Sequence, residues 1–188
     1  MTIPNIISII RLLVVPVMVW ALIDGSWGLA FAIFVFAGVS DGIDGAIARH
    51  FDQQSTLGLY LDPIADKALL TAVFISLGLL GQLPDWLVIA VVSRDILIVS
   101  AFLLSYVMGL PMAVRPLFVS KATTVAQIAL AASVLGEAAF GIDLGFALDL
   151  LIGVTLLLTV ASAAAYLVDW LRHMASPDDS DSSESGSP

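Results

Sequence analysis

The chain alternates between long apolar stretches and short polar or Pro/Gly-rich breaks. The apolar runs fall at residues 4–23, 27–49, 63–80, 86–108, 118–136 and 145–171. Each approaches the roughly 20 residues that a membrane-crossing helix needs. The pattern therefore predicts an all-α integral membrane protein with six transmembrane helices. The third run is short and the second carries Asp41 and Asp44, so these two lean partly on their neighbours. No internal repeat of solenoid period is visible. The first run lacks a basic leading segment and holds Arg11 inside its apolar stretch, which argues against a secretory signal.

Composition narrows the class. Of the 188 residues 60% are hydrophobic and 12% charged, and mean hydropathy is +1.04. A soluble domain carries about 45–50% apolar and about 25% charged residues. Too little charge is present to cover a globular surface, which excludes a cytosolic enzyme, a nucleic-acid binder and a disordered protein. The absence of Cys excludes a disulfide-stapled secreted domain.

The net charge of −9 is less informative than it looks. Asp178, Asp179, Asp181 and Glu184 belong to the stretch SPDDSDSSESGSP, residues 176–188, which has no apolar residue and reads as a disordered acidic, Ser-rich tail. Without those four of the 16 acids, 12 face 7 Lys+Arg, a net −5 for the transmembrane domain of residues 1–175.

The cations set an orientation. The connections after the second and fourth runs, with their flanks, hold Arg49, Lys67, Arg115 and Lys121, and Arg172 follows the last run. The other connections, around residues 24, 81–85 and 137–143, hold no Lys or Arg. By the positive-inside rule both termini face the cytoplasm, and the expected location is the cell inner membrane. Trp20, Trp27, Trp86 and Trp170 lie near run ends, as an interfacial belt requires.

Charge inside a membrane is expensive and marks function, and here the acids are grouped. Asp41 and Asp44 are three apart at the end of the second run; Asp62 and Asp66 are four apart at the start of the third. On helices both spacings put the pair on one face. Four converging carboxylates repel one another unless protons, cations or a metal neutralise them. Oxygen donors without His or Cys favour a hard ion, Mg²⁺ or Mn²⁺, and two such ions can clamp a diphosphate. Gly42, Gly45, Ala46, Ala48 and Gly58 allow a ligand or helix close to the backbone, and Arg49 offers a forked donor to phosphate. An isolated acidic pair would serve equally well as a structural partner for Arg or Lys. Four Asp with aligned glycines and an Arg favour a metal–diphosphate site in a polar, cytoplasm-facing cavity.

The pattern Asp41-x-x-Asp44-Gly45-x-x-Ala48-Arg49, eight residues, then Gly58-x-x-x-Asp62-x-x-x-Asp66 resembles the full signature of the CDP-alcohol phosphatidyltransferase family, eight specified positions over 26 residues. The resemblance implies transfer of a phosphatidyl group from CDP-diacylglycerol to an alcohol hydroxyl, with release of CMP. It implies that Asp41, Asp44, Asp62 and Asp66 hold two divalent ions and that Asp66 is the general base. Asp41, Gly45, Ala48, Arg49 and Gly58 would form the CDP site, and a homodimer is expected.

The opening Ile3-Pro4-Asn5-Ile6-Ile7-Ser8 and the segment Asp62-Pro63-x-Ala65-Asp66-Lys67 are similar to the phosphatidylglycerophosphate and cardiolipin synthase branch. Ser93-Arg94-Asp95 and Pro116-x-x-x-Ser120-Lys121-x-x-Thr124-x-x-Gln127 resemble CMP-forming cardiolipin synthases, which take phosphatidylglycerol. Thr123 departs from the Asn expected there, and Ser120 from the Gly of the glycerol 3-phosphate enzymes. Both acceptors therefore stay open. Arg94, deep in the fourth run, either meets the acceptor or pairs with Asp95. Arg115 and Lys121 either bind the acceptor phosphate or serve topology alone.

Other classes explain less. A transporter would use the four Asp as a cation path but leaves Gly45, Ala48, Arg49 and Gly58 unexplained, and no repeated half-chains are seen. Prenyl-diphosphate enzymes place their Asp motifs further apart, and a non-catalytic scaffold has no need of four intact Asp. Removal of residues 176–188 is expected to leave CMP release unchanged; a loss of turnover in the truncated protein would give the tail a role.

Overall fold

Six helices follow one another: α1 (Ile3–Ile23), α2 (Trp27–Phe51), α3 (Gly58–Leu79), α4 (Asp85–Val107), α5 (Phe118–Phe140) and α6 (Phe146–Ala175). This computed structural model describes the backbone of residues 3–51, 58–107 and 118–175, and within them the side chains of 10–40, 67–100 and 118–168. No strand occurs among the described residues. The helices match the six apolar runs to within a few residues at most ends; the tail lies outside the described residues. The main difference is α3, which begins at Gly58 and takes Pro63 inside its second turn. As the sixth helical residue, past the four N–H groups that a helix start leaves free, Pro63 gives up one backbone bond to the carbonyl four residues earlier.

The cation-free connections are tight turns. After α1, Gly25 adopts φ +74°, and after α3, Gly81 adopts φ +72°. That left-handed geometry favours glycine. It lets Ser26 N–H reach Ala21 O (2.9 Å) and Gln82 N–H reach Leu77 O (2.8 Å), closing each helix on its own last carbonyls.

In the bundle α1 packs on α2 and α3, α2 on α5, α3 on α4 and α5, and α6 on α4 and α5. Met18 and Leu22 of α1, Phe34 of α2, Val73, Phe74 and Leu77 of α3, Leu87 of α4 and Leu130 and Leu135 of α5 are the larger side chains of the core. Helix α6 meets its neighbours differently. Its buried face is Thr155, Thr159 and Ser162, small and polar at helical spacing. Thr155 Oγ1 donates to Ala126 O (3.5 Å), and Thr123 Oγ1 on α5 donates across to Leu158 O (3.0 Å). Small hydroxyl residues let two helix backbones approach closely where lipid removes any hydrophobic drive to associate.

The outside of the bundle is apolar. Leu13 and Ile23 of α1, Phe36 of α2, Leu79 of α3, Ile89 and Ile96 of α4, Phe118 of α5 and Leu157 of α6 are among its exposed hydrophobics. Such a continuous apolar exterior suits lipid, not water. Among the described residues α5 and the Phe146–Val168 part of α6 are long and apolar enough to cross a membrane.

At Gly78 α3 packs tightly against α4: a Cβ there would lie 2.8 Å from Val88 Cγ2. Valine is stiff at χ1 and cannot swing aside freely. Gly78→Val is therefore expected to cost about 1–3 kcal/mol by overpacking, read as a lower thermal midpoint in detergent. Val88→Ala in the same chain should restore most of the loss; no recovery would place the strain elsewhere.

Candidate functional site

The acidic signature falls on two helix ends joined through six residues. Asp41, Asp44, Gly45, Ala48 and Arg49 lie in the last eleven residues of α2, and Gly58, Asp62 and Asp66 in the first nine of α3. Because both segments are helical, the spacings of three and four place each Asp pair on one helix face. The side chains of these eight residues lie outside those described. As a donor set they suit a hard divalent ion: all four acids offer oxygen, and the chain has no Cys. Among the described residues no other group of three or more His, Cys, Asp or Glu could hold a metal.

Immediately beyond Asp66 begins a buried ionic network. Asp95 of α4 accepts at Oδ1 from Arg94 Nη1 (2.6 Å) and from Lys67 Nζ (3.0 Å). Arg94, 3% exposed, spends its other nitrogens on hydroxyls. Its Nη2 donates to Ser120 Oγ of α5 (2.6 Å) and Ser162 Oγ of α6 (2.8 Å), and Nε to Ser162 Oγ (3.2 Å). One guanidinium thus links α4 to α5 and α6, and one carboxylate links α4 to α3. Buried charge is tolerated only when paired and hydrogen-bonded in this way.

Above this network lies a cavity of about 280 Å³. Its described lining comes from α1 (Arg11), α2 (Phe34, Ala37, Gly38), α3 (Lys67, Leu69, Leu70), α4 (Asp95) and α5 (Thr124, Gln127, Ile128). Gly38 is one helical turn from Asp41, and Lys67 directly follows Asp66. The cavity therefore adjoins the helix turns that carry the signature.

The structure separates the cations suggested for the acceptor. Arg94 is enclosed among Asp95, Ser120 and Ser162, so the pairing between Arg94 and Asp95 is formed. Lys121 is exposed on the first turn of α5. Arg115 lies outside the described residues. Sequence reasoning used Lys67 only as a topological cation and a motif residue, yet it is the network's link to the cavity. Ser162, anchoring Arg94 from α6, carried no sequence signal at all. Gln127 stood in a recognised pattern without a role. Thr123, one of the two departures from the branch patterns, is fully buried and donates to Val119 O (2.8 Å) and Leu158 O (3.0 Å). It is a helix-packing position.

The chain matches known proteins over most of its length. The family model for CDP-alcohol phosphatidyltransferase matches residues 1–170. Cardiolipin synthase (CMP-forming) of Homo sapiens is 32% identical over 181 residues, covering 88% of this chain and 60% of that protein. A cardiolipin synthase (CMP-forming)/mitochondrial hydrolase fusion protein of Schizosaccharomyces pombe is 32% identical over 182 residues, 89% of this chain and 31% of its own length. A Mycobacterium tuberculosis protein named "Probable phosphatidylglycerophosphate synthase" is 37% identical over 98 residues, covering 49% of this chain and 47% of its own. The chain spans less than two thirds of the length of each of these relatives.

The network predicts an asymmetry between its members. Asp95→Ala strands Arg94 in the bundle, and losing one partner of a buried pair costs about 3–5 kcal/mol. Lys67→Met removes a side chain that is 36% exposed, and such partly solvated pairs contribute about 1 kcal/mol or less. Thermal midpoints in detergent should fall far more for Asp95→Ala; equal losses would contradict the assignment of Arg94 as the buried partner.

Proposed function

The chain belongs to the CDP-alcohol phosphatidyltransferase family, and from that premise we propose that it transfers the phosphatidyl group of CDP-diacylglycerol to the free hydroxyl of phosphatidylglycerol. The products are cardiolipin and CMP. The observation that carries this reading is the complete signature on adjoining ends of α2 and α3, with a cavity beside it. The cardiolipin synthase relatives support phosphatidylglycerol as the acceptor. Glycerol 3-phosphate is the second reading, favoured by the phosphatidylglycerophosphate synthase relative.

In this mechanism Asp41, Asp44, Asp62 and Asp66 would hold two hard divalent ions, Mg²⁺ or Mn²⁺, whose charge offsets that of the diphosphate. Gly45, Ala48 and Gly58 leave room for the CDP moiety against the helix backbones, and Arg49 donates to its phosphate. Asp66 takes the proton from the acceptor hydroxyl as its oxygen attacks the phosphatidyl phosphorus. The bond from that phosphorus to the bridging oxygen breaks, and CMP departs with that oxygen. Arg115 and Lys121 are assigned to the acceptor phosphate. Arg94 acts indirectly, by holding Ser120 and Asp95 in place. All six helices span the inner membrane in this reading, with both termini and the site on the cytoplasmic side, and the protein works as a homodimer. That side suits a substrate with a water-soluble nucleotide and two membrane-embedded chains.

Purified protein with CDP-diacylglycerol and Mg²⁺ or Mn²⁺ is expected to release CMP on addition of phosphatidylglycerol. Chelation of the divalent ion should stop release. Asp66→Asn should abolish turnover while keeping part of the metal-dependent nucleotide binding; full turnover by that variant would remove Asp66 as base. Release with glycerol 3-phosphate alone would select the second acceptor. Failure with every alcohol, in folded protein, would overturn the transferase reading in favour of a carboxylate-lined transporter.

A further inference from the structure

Gln127 is a buried amide with no hydrogen-bond partner for its nitrogen. It sits in the middle of α5 at 1% exposure, and among the described residues no group accepts from its Nε2. Its surroundings are otherwise well satisfied: Thr123, Thr155 and Thr159 all donate to carbonyls, and Arg94 donates to a carboxylate and two serines. An amide shut away from water without a partner is costly, so native proteins almost always supply one. The nearest space for a partner is the cavity that Gln127 lines with Arg11, Lys67 and Thr124, and the closed-off amide reaches it by turning its nitrogen toward that space.

The lining also defines what that partner is. Gln127 Nε2, Lys67 Nζ and the Arg11 guanidinium are donors. The cavity's described carboxylate, Asp95, already accepts at Oδ1 from both Arg94 and Lys67. Thr124 Oγ1 donates to Ser120 O (3.2 Å), which leaves its oxygen lone pairs free to accept. A ligand rich in acceptor oxygens, carrying also a hydroxyl to donate, complements this set. At about 280 Å³ the cavity holds far more than one water but not a pair of acyl chains. Its position next to Lys67, the residue after Asp66, puts it beside the base that the proposed reaction directs at the acceptor.

We propose that Gln127 donates its amide N–H to an oxygen of the acceptor's glycerol phosphate head, seated in the cavity between α3 and α5, and so selects the alcohol that reacts. The inference rests on the phosphatidyltransferase reading above. It assigns recognition to a neutral side chain set deeper than the exposed cation Lys121. Glycerol 3-phosphate and phosphatidylglycerol share this head group, one as a free molecule and the other as part of a lipid.

The test is steady-state CMP release by the full-length protein in detergent micelles, with each acceptor varied at saturating CDP-diacylglycerol and the reverse. Gln127→Leu removes the donor, while Gln127→Glu keeps the shape and turns acceptor oxygens toward the ligand. Either change should raise KM for the acceptor on the order of tenfold, more for Glu than for Leu. KM for CDP-diacylglycerol should stay near the parent value in both variants and the thermal midpoint near it in the Leu variant, a split that a merely structural amide would not produce. An unchanged acceptor KM, or an equal rise in both KM values, overturns the assignment and leaves Gln127 bonded to water only. Should the Leu variant not fold, the isosteric Glu variant decides. Should neither fold, Thr124→Val at the exposed neighbouring position must raise acceptor KM alone, or the proposal fails. Absence of CMP release by the unaltered protein with either acceptor would instead count against the transferase reading itself.

Discussion

One carboxylate, Asp95, sets the terms for the whole bundle. It accepts from a buried guanidinium on one side and from a half-exposed ammonium on the other. Remove it and Arg94 becomes an unpaired charge among four helices; keep it and α3, α4, α5 and α6 are held in one register. Hydrophobic packing cannot supply that register in lipid, where side chains gain little by leaving acyl chains for one another. The rest of the interior is consistent with this: the α5–α6 contact is built from threonines bonded to carbonyls, and the large core side chains are concentrated on α1, α3 and α5.

In the proposed mechanism two tasks fall to different parts of the chain: CDP to the signature on α2 and α3, and the choice of alcohol to α5, against the frame that α4 and α6 supply. Ser120 and Thr123, the two departures from the branch patterns, both belong to that frame: Ser120 accepts from Arg94, and Thr123 bonds across to α6. Neither lines the described cavity.

Much of this was legible in the chain. Apolar runs located six helices because a helix must satisfy its backbone internally where water is scarce, and the run ends were marked by Gly, Pro and charge. The start of α3 was misplaced because Pro63 reads as a boundary, whereas the helix begins five residues earlier at Gly58 and runs through it. The acidic signature was readable because its spacing is local. Arg94 was legible only as an alternative, since its partners Ser120 and Ser162 stand 26 and 68 residues away. The orphaned amide of Gln127 had no sequence signature; that a donor lacks a partner is a property of packing in three dimensions.

The glycine turns bear on how such a chain enters its membrane. Helices α1 and α2, and likewise α3 and α4, are joined by a few residues whose backbone N–H groups bond back onto the preceding helix. No lysine or arginine lies in either connection. Carrying such a link through hydrocarbon exposes few unsatisfied peptide groups and no basic side chain. In the proposed six-span topology each pair can be inserted as a ready-made hairpin, leaving the bonds of Arg94 to the third pair to form afterwards. Lys67 can meet Asp95 within the second hairpin itself, and assembly then ends with Arg94 closing onto Ser120 and Ser162 of the third.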